Sequence, residues 1–277
     1  MTSHYGWVCT VILSFEPGER VPLLLLGVRD EFTDRSWLPP ARHWPGSPLL
    51  GGLDEQAGGT WLAVHPDVPR VSCLLNGRGR QAVPPRPTGP DRPPGPAHRR
   101  SRGELPLRAA ADGAGVLKEL ADDPQALAAY DPFHLLCAET GTVRLLSWDG
   151  DHPASRELEP GTHLLTNVGH AYPGTPGAPV TEPKARHFGP KFAASRPPGD
   201  QALPAARAWG DWLTYTAGDG LDPGDPRAII ARRDLPDGRV WGTTSLSLLA
   251  LAPDGVRYDF RAHPGAITDW YPVIVAA

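Results

Sequence analysis

Cys9 and the run Arg29-Asp30-Glu31 are the residues of this chain best suited to covalent chemistry. A thiolate is a strong nucleophile, and a nearby cation can lower a cysteine pKa from about 8.5 to roughly 3.5–7.5. Two apolar runs, residues 8–15 and 21–28, flank Glu16-Pro17-Gly18-Glu19. Pro presets φ and Gly accepts positive φ, so the Pro-Gly pair between apolar runs predicts a hairpin. A loop of two residues places Cys9 opposite Leu26 and one of four residues places it opposite Val28. Either way the thiol lies beside the strand end where Arg29 begins. The competing reading is a free cysteine buried in a strand, with Arg29 and Asp30 as a solvated pair.

The elements that must position these residues follow in chain order. Trp37, Trp44 and Trp61 are interleaved with Pro39, Pro40, Pro45 and Pro48, and either line a pocket or supply core area. Gly51-Gly52 and Gly58-Gly59 read as tight turns, since neither fits a phosphate-binding glycine pattern. Residues 60–64 and 71–75 read as strands, the second leading to Asn76. Residues 81–103 are rich in Pro and Arg without an apolar pattern; they read as a solvated loop inside the domain, with anion binding by the basic end His98-Arg99-Arg100-Ser101-Arg102 as the competing reading. Residues 105–130 read as helical with a break at Asp123-Pro124. Residues 133–139, 142–148 and 162–166 read as a β-meander ending at Asn167. Helices are expected over 183–196 and 201–217, then a hairpin of 240–251 with 256–262 and a closing strand at 271–275. Strands and helices in alternating blocks predict one α+β domain over residues 9–277 rather than a βαβ repeat.

Six segments stand in an order that is similar to a known family. They are Cys9-Thr10-Val11-Ile12, Val28-Arg29-Asp30-Glu31-Phe32, Gly58-Gly59-Thr60-Trp61-Leu62, Arg102-Gly103-Glu104-Leu105, Leu165-Thr166-Asn167 and Trp241-Gly242-Thr243-Thr244-Ser245. The chain resembles the NRDE family, which includes the transport and Golgi organisation protein 2-like proteins. That family resembles the N-terminal nucleophile (Ntn) hydrolases, so the resemblance implies a four-layer αββα sandwich with Cys9 as nucleophile. It further implies that Arg29 and Asp30 flank the thiol and hold its α-amine, and that Asn76 and Asn167 donate to an oxyanion. Glu31, Thr60, Trp61 and Trp241 would then line the substrate side. Family members usually begin Met-Cys, so residues 1–8 are expected to be a leader that is absent or removed. A GTG codon at Val8, read as a bacterial start, would have the same result. Two departures stand out: Val28 replaces the first Asn of the name motif, and Thr244 stands where many members carry Arg.

Two functional readings follow from the resemblance. One is a cysteine amidase acting on a small linear or cyclic amide, without a cofactor. The other is a haem- or lipid-binding trafficking factor on the same scaffold, with Cys9, or His163 and His170, ligating haem iron. The composition narrows the field. The 277 residues carry a formal charge of −4 and a pI near 6.2, which gives no footprint for nucleic acid or anionic membrane. The three cysteines, Cys9, Cys73 and Cys137, lack CxxC spacing, and the ten histidines lack metal-ligand spacing, so no disulfide framework or metal site is expected. No apolar run reaches the ~18 residues of a membrane helix and no signal peptide is evident, so a cytoplasmic location is expected. Cys9 is expected to be the most reactive thiol, with Cys73 and Cys137 in apolar strands. Nothing in the sequence sets an oligomeric state.

Overall fold

The computed structural model describes residues 9–82, 99–172, 180–264 and 269–274. The expected leader at 1–8 and most of the expected 81–103 loop lie outside the described residues. The described residues begin with β1 (Thr10–Phe15) and β2 (Leu23–Phe32), followed by β3 (Trp37–Ala41), β4 (Leu50–Asp54), β5 (Leu62–His65) and β6 (Arg70–Asn76). Three helices come next: α1 (Glu104–Asp112), α2 (Gly115–Ala121) and α3 (Pro124–Leu127). Then β7 (Phe133–Glu139), β8 (Val143–Trp148), β9 (Pro153–Glu157), β10 (Gly161–Thr166) and β11 (Gly169–Tyr172) lead to α4 (Pro183–Ala194), α5 (Ala205–Trp209) and α6 (Asp211–Thr216). The last strands are β12 (Arg232–Asp234), β13 (Val240–Ala252), β14 (Gly255–Ala262) and β15 (Tyr271–Ile274).

These strands form two antiparallel sheets, so the fold is α+β. One runs β11-β10-β1-β2-β13-β14-β15 with β12 beside β13, and the other β3-β4-β5-β6-β7-β8-β9. Period-two alternation divides β1 and β2 between two cores. Val11, Leu13, Phe15, Leu23 and Leu25 meet Val64, Val71, Leu136 and Leu145 of the other sheet. Ile12, Leu24 and Leu26 turn the opposite way and pack with Phe188, Phe192, Trp209 and Trp212 of α4 to α6. A third cluster joins Leu105, Leu117, Leu120 and Leu127 of α1 to α3 with Phe133, Leu135 and Leu146. Among the described residues no helix is long and apolar enough to cross a membrane.

The hairpin register lies one residue beyond the longer of the two expected loops and three beyond the shorter. Glu19 N donates to Glu16 O at 3.0 Å, closing a turn on Pro17-Gly18, and Glu16 N donates to Pro22 O at 2.8 Å. An unprimed turn does not follow the strand twist, so pairing resumes only after residues 17–21. Thr10 therefore pairs with Val28, and the next step along the ladder sets Cys9 across from Arg29 rather than Leu26 or Val28.

Other differences have local causes. The expected third strand of the meander, here β10, leaves its sheet to pair with β1 and β11. Its place beside β8 is taken by β9, an exposed polar edge strand that carries no apolar signal. The helix expected over 201–217 is two short helices, because Gly210 adopts φ +46° between them. The one expected over 105–130 breaks also at Gly113, with φ +97°. Gly51 and Gly52 lie in β4 and not in a turn. A Cβ on Gly52 would fall within 2.1 Å of the Trp61 ring, so glycine there makes room for that indole.

Candidate active site

The ends of β1, β2 and β6 open onto a cavity of about 440 Å³. Cys9, Arg29, Asp30, Glu31, Thr60, Trp61 and Asn76 all line it, together with Arg35, Asp54 and Arg102. The Cys9 Sγ sits against the Asp30 backbone, 3.3 Å from its O and 3.4 Å from its N. Burial pushes this thiol up to about 12, and the charge of Asp30 adds to the effect. The Asp30 N–H and the Arg29 guanidinium pull the other way but lose. The expectation that Arg29 makes a thiolate is thus corrected: desolvation outweighs one cation. Cys9 is partly exposed, whereas Cys73 and Cys137 are fully buried in β6 and β7 with thiols also pushed up.

Arg29 and Asp30 are neighbours in sequence that face opposite ways. The Arg29 guanidinium lies 4.4 Å from the Trp61 ring centre and 5.9 Å from that of Trp37. Its Nη2 is 3.6 Å from Asp54 Oδ2 and 4.0 Å from Glu31 Oε2. Arg35 holds the same Asp54 carboxylate through two bonds of 2.7 and 3.1 Å. The Asp30 carboxylate instead accepts from Thr243 Oγ1 at 2.7 Å and lies 3.8 Å from Lys184 Nζ, which donates to Thr10 Oγ1 at 3.0 Å. Burial raises Asp30 to about 6 despite Lys184 and Thr243. The two residues are therefore not the solvated pair that the competing reading offered, for both are buried.

A bulge in β13 serves both faces at once. Thr243 pairs with Asp30 but Ser245 with Arg29, which leaves Thr244 as the extra residue. Such a bulge re-aims side chains locally. Thr243 reaches Asp30, while the Thr244 hydroxyl accepts from Arg29 Nη1 at 2.9 Å and donates to Arg29 O at 3.2 Å. Thr244, one of the two expected departures, thus presents a hydroxyl that holds Arg29.

The remaining expected site residues divide. Asn76 ends β6 on the cavity wall, one residue from the docked Gly77–Pro132 bond of 2.9 Å. Thr60 uses its hydroxyl on Leu62, donating to its O at 2.8 Å and accepting from its N at 3.2 Å. Asn167 and Trp241 are not among the residues lining the cavity. Asn167 follows β10, where the register Val11 to Leu165, carried on, brings it level with Cys9. Trp241 pairs with Phe32 and Arg233 within the sheet and is buried. His163 Nδ1 and His170 Nε2 lie 3.0 Å apart, and His163 Nε2 reaches Glu159 O at 2.8 Å. Burial and Arg156 push His170 down to about 3. Among the described residues no group of three or more His, Cys, Asp and Glu side chains is arranged to hold a metal ion.

Sequence reasoning missed Lys184, Asp54 and Arg35, and it placed Arg102 in a basic run read as a solvated loop in preference to a site for an anionic partner. Asp54 had a readable signal, since its Oδ1 accepts from Gln56 N and Ala57 N in the turn before Gly58-Gly59. Lys184 had none: one buried lysine in the first turn of α4 looks local until the sheet is folded against it.

An α+β fold of two antiparallel sheets, with a thiol at the wall of a charged cavity, is the class that the architecture and the site define. The chain belongs to the Transport and Golgi organisation 2 family, whose model matches residues 8–191. That span includes Cys9, Arg29, Asp30, Arg102 and Lys184, and it ends before β13. No curated protein matches the chain.

Proposed function

We propose that this protein is a cysteine amidase of the N-terminal nucleophile type, acting on a small linear or cyclic amide in a reducing cytoplasm. In this reading the two sheets and their outer helices are the four-layer αββα sandwich of that class. The clusters between the sheets and beneath each helix group support it. The observation that carries the functional reading is the convergence of Cys9, Arg29, Glu31 and Asn76 on one cavity, with the Asp30 backbone against the Cys9 Sγ.

A thiol held near 12 cannot act as a standing thiolate, so its proton must leave as the attack proceeds. Removal of the residues before Cys9 would free its α-amine, whose pKa of about 7.7–8.0 suits a local base. The amine takes the thiol proton while Sγ attacks the amide carbonyl. The Asn76 amide, which donates without ionising, stabilises the oxyanion. The proton passes to the departing amine, and water then hydrolyses the thioester.

Protein made to begin at Cys9 should hydrolyse members of a panel of small acyl amides and lactams. The chain from Met1 and the Cys9→Ala variant of the shortened protein should not. Hydrolysis that persists in Cys9→Ala rejects the assignment.

A further inference from the structure

We propose that the cavity takes an amide bearing a carboxylate, and that Arg102 is the residue that recognises it. This deepens the amidase reading and rests on it for the reaction, but not for the binding. The cavity wall carries five arginines, Arg29, Arg35, Arg99, Arg100 and Arg102. Four of them are matched by carboxylates. Arg29 and Arg35 share Asp54 and Glu31. Arg99 pairs with Asp131, and Arg100 with Glu104 at 2.7 Å.

Arg102 is the exception. Among the described residues no carboxylate lies within 4 Å of its guanidinium, whose hydrogen bond is from Nη1 to Pro132 O at 2.7 Å. It is only partly exposed, and burial together with Arg99 and Arg35 lowers its pKa against the weaker opposing pull of Cys9 and Glu31. One bond to a carbonyl leaves most of its five donors for a ligand, in a planar fork that matches a carboxylate.

The chain also fixes where Arg102 stands. Thr60 N donates to Gly103 O at 2.9 Å, and a Cβ on Gly59 would fall 2.4 Å from the Gly103 carbonyl carbon. The segments Gly58-Gly59-Thr60-Trp61 and Arg102-Gly103-Glu104 therefore dock backbone to backbone, which only glycine at 59 permits. Arg100 N donates to Ala129 O at 2.9 Å, and Gly103 N to Ser101 Oγ at 3.2 Å, so residues on both sides of Arg102 are anchored. A cation held rigidly on the wall that also presents Cys9 selects a substrate by charge at little ordering cost.

The test is calorimetric binding of hippurate, and of its neutral amide, to the chain carrying Cys9→Ala, so that turnover plays no part. Hippurate should bind about tenfold or more tightly than the neutral amide, the range of one charge-assisted bond. Its affinity should fall with added salt, Arg102→Gln should abolish the difference, and Arg102→Lys should retain part of it. Thermal melts of both variants show whether they are folded, and the salt dependence of the Cys9→Ala protein decides the matter if Arg102→Gln is not. Equal binding of acid and amide, or no binding of hippurate, overturns the proposal. Displacement of hippurate by equimolar inorganic phosphate overturns the carboxylate and reassigns the guanidinium to a phosphate. Carboxylate-selective binding without hydrolysis by the protein beginning at Cys9 would sink the amidase reading and leave this one standing.

Discussion

The two faces of β2 solve the burial of charge differently. On the cavity face Arg29 is 4% exposed, yet it is stacked on Trp61 and flanked by Asp54 and Glu31, whose side chains remain 14% and 23% exposed. On the helix face Asp30, Lys184, Thr10 and Thr243 are all buried, with side-chain exposures of 0% and 3% for the ion pair itself. The first arrangement keeps water and room beside the charges, as a binding site must. The second encloses one carboxylate and one ammonium with hydroxyls on both. A buried pair of this kind is weak evidence for stability but costly to break. The two faces of β2 thus carry different surroundings: Arg29 lines the cavity, and Asp30 belongs to the enclosed backing against which Cys9 is seated.

The largest effect should come from breaking the enclosed pair. Lys184→Ala leaves Asp30 buried without its cation and should cost about 3–5 kcal/mol in urea unfolding. A loss under about 1 kcal/mol would mean that the helix face is as wet as the cavity.

Next is the titration of Asp30. Its folded value near 6 lies above the ordinary 3.8, so the folded state binds the proton more tightly. Its contribution to stability is fully present below 3.8 and is lost as the pH rises through about 6, a loss of up to about 3 kcal/mol at 1.36 kcal/mol per unit. Asp30→Asn should flatten that part of the stability profile. An unchanged slope in the variant would place the titration elsewhere.

The smallest effect should be on the cavity face. Asp54→Asn leaves Arg29 and Arg35 with Glu31 and solvent, and should cost about 1–2 kcal/mol. A loss equal to that of Lys184→Ala would erase the contrast between the faces.

Much of the cavity face was legible in sequence because it is built from strand ends. A Pro-Gly turn between apolar runs folds Cys9 back to Arg29, and apolar residues 71–75 carry Asn76 to the same rim. The helix face was not legible. Thr243 and Lys184 reach Asp30 from far along the chain; the segment of Thr243 stood out by its resemblance to the family, but nothing in the sequence tied either residue to Asp30. The β13 bulge at Thr244 was hidden for a related reason: the extra residue is visible only against its partner strand. Edge strands β3 and β9 were missed because their Pro-rich or polar sequences reflect solvent on one side. The thiol was misjudged by counting one cation and not the burial around it.

In the proposed reaction the cavity face presents Cys9 as a nucleophile once its amine is free. The most direct test is intact-mass and peptide mapping after a limiting dose of an activated acyl ester on protein beginning at Cys9. One acyl group carried by the Cys9 peptide, and lost when an extra residue precedes Cys9, is the predicted result. Acylation falling on Cys73 or Cys137, or on Cys9 regardless of whether its amine is free, would contradict the account.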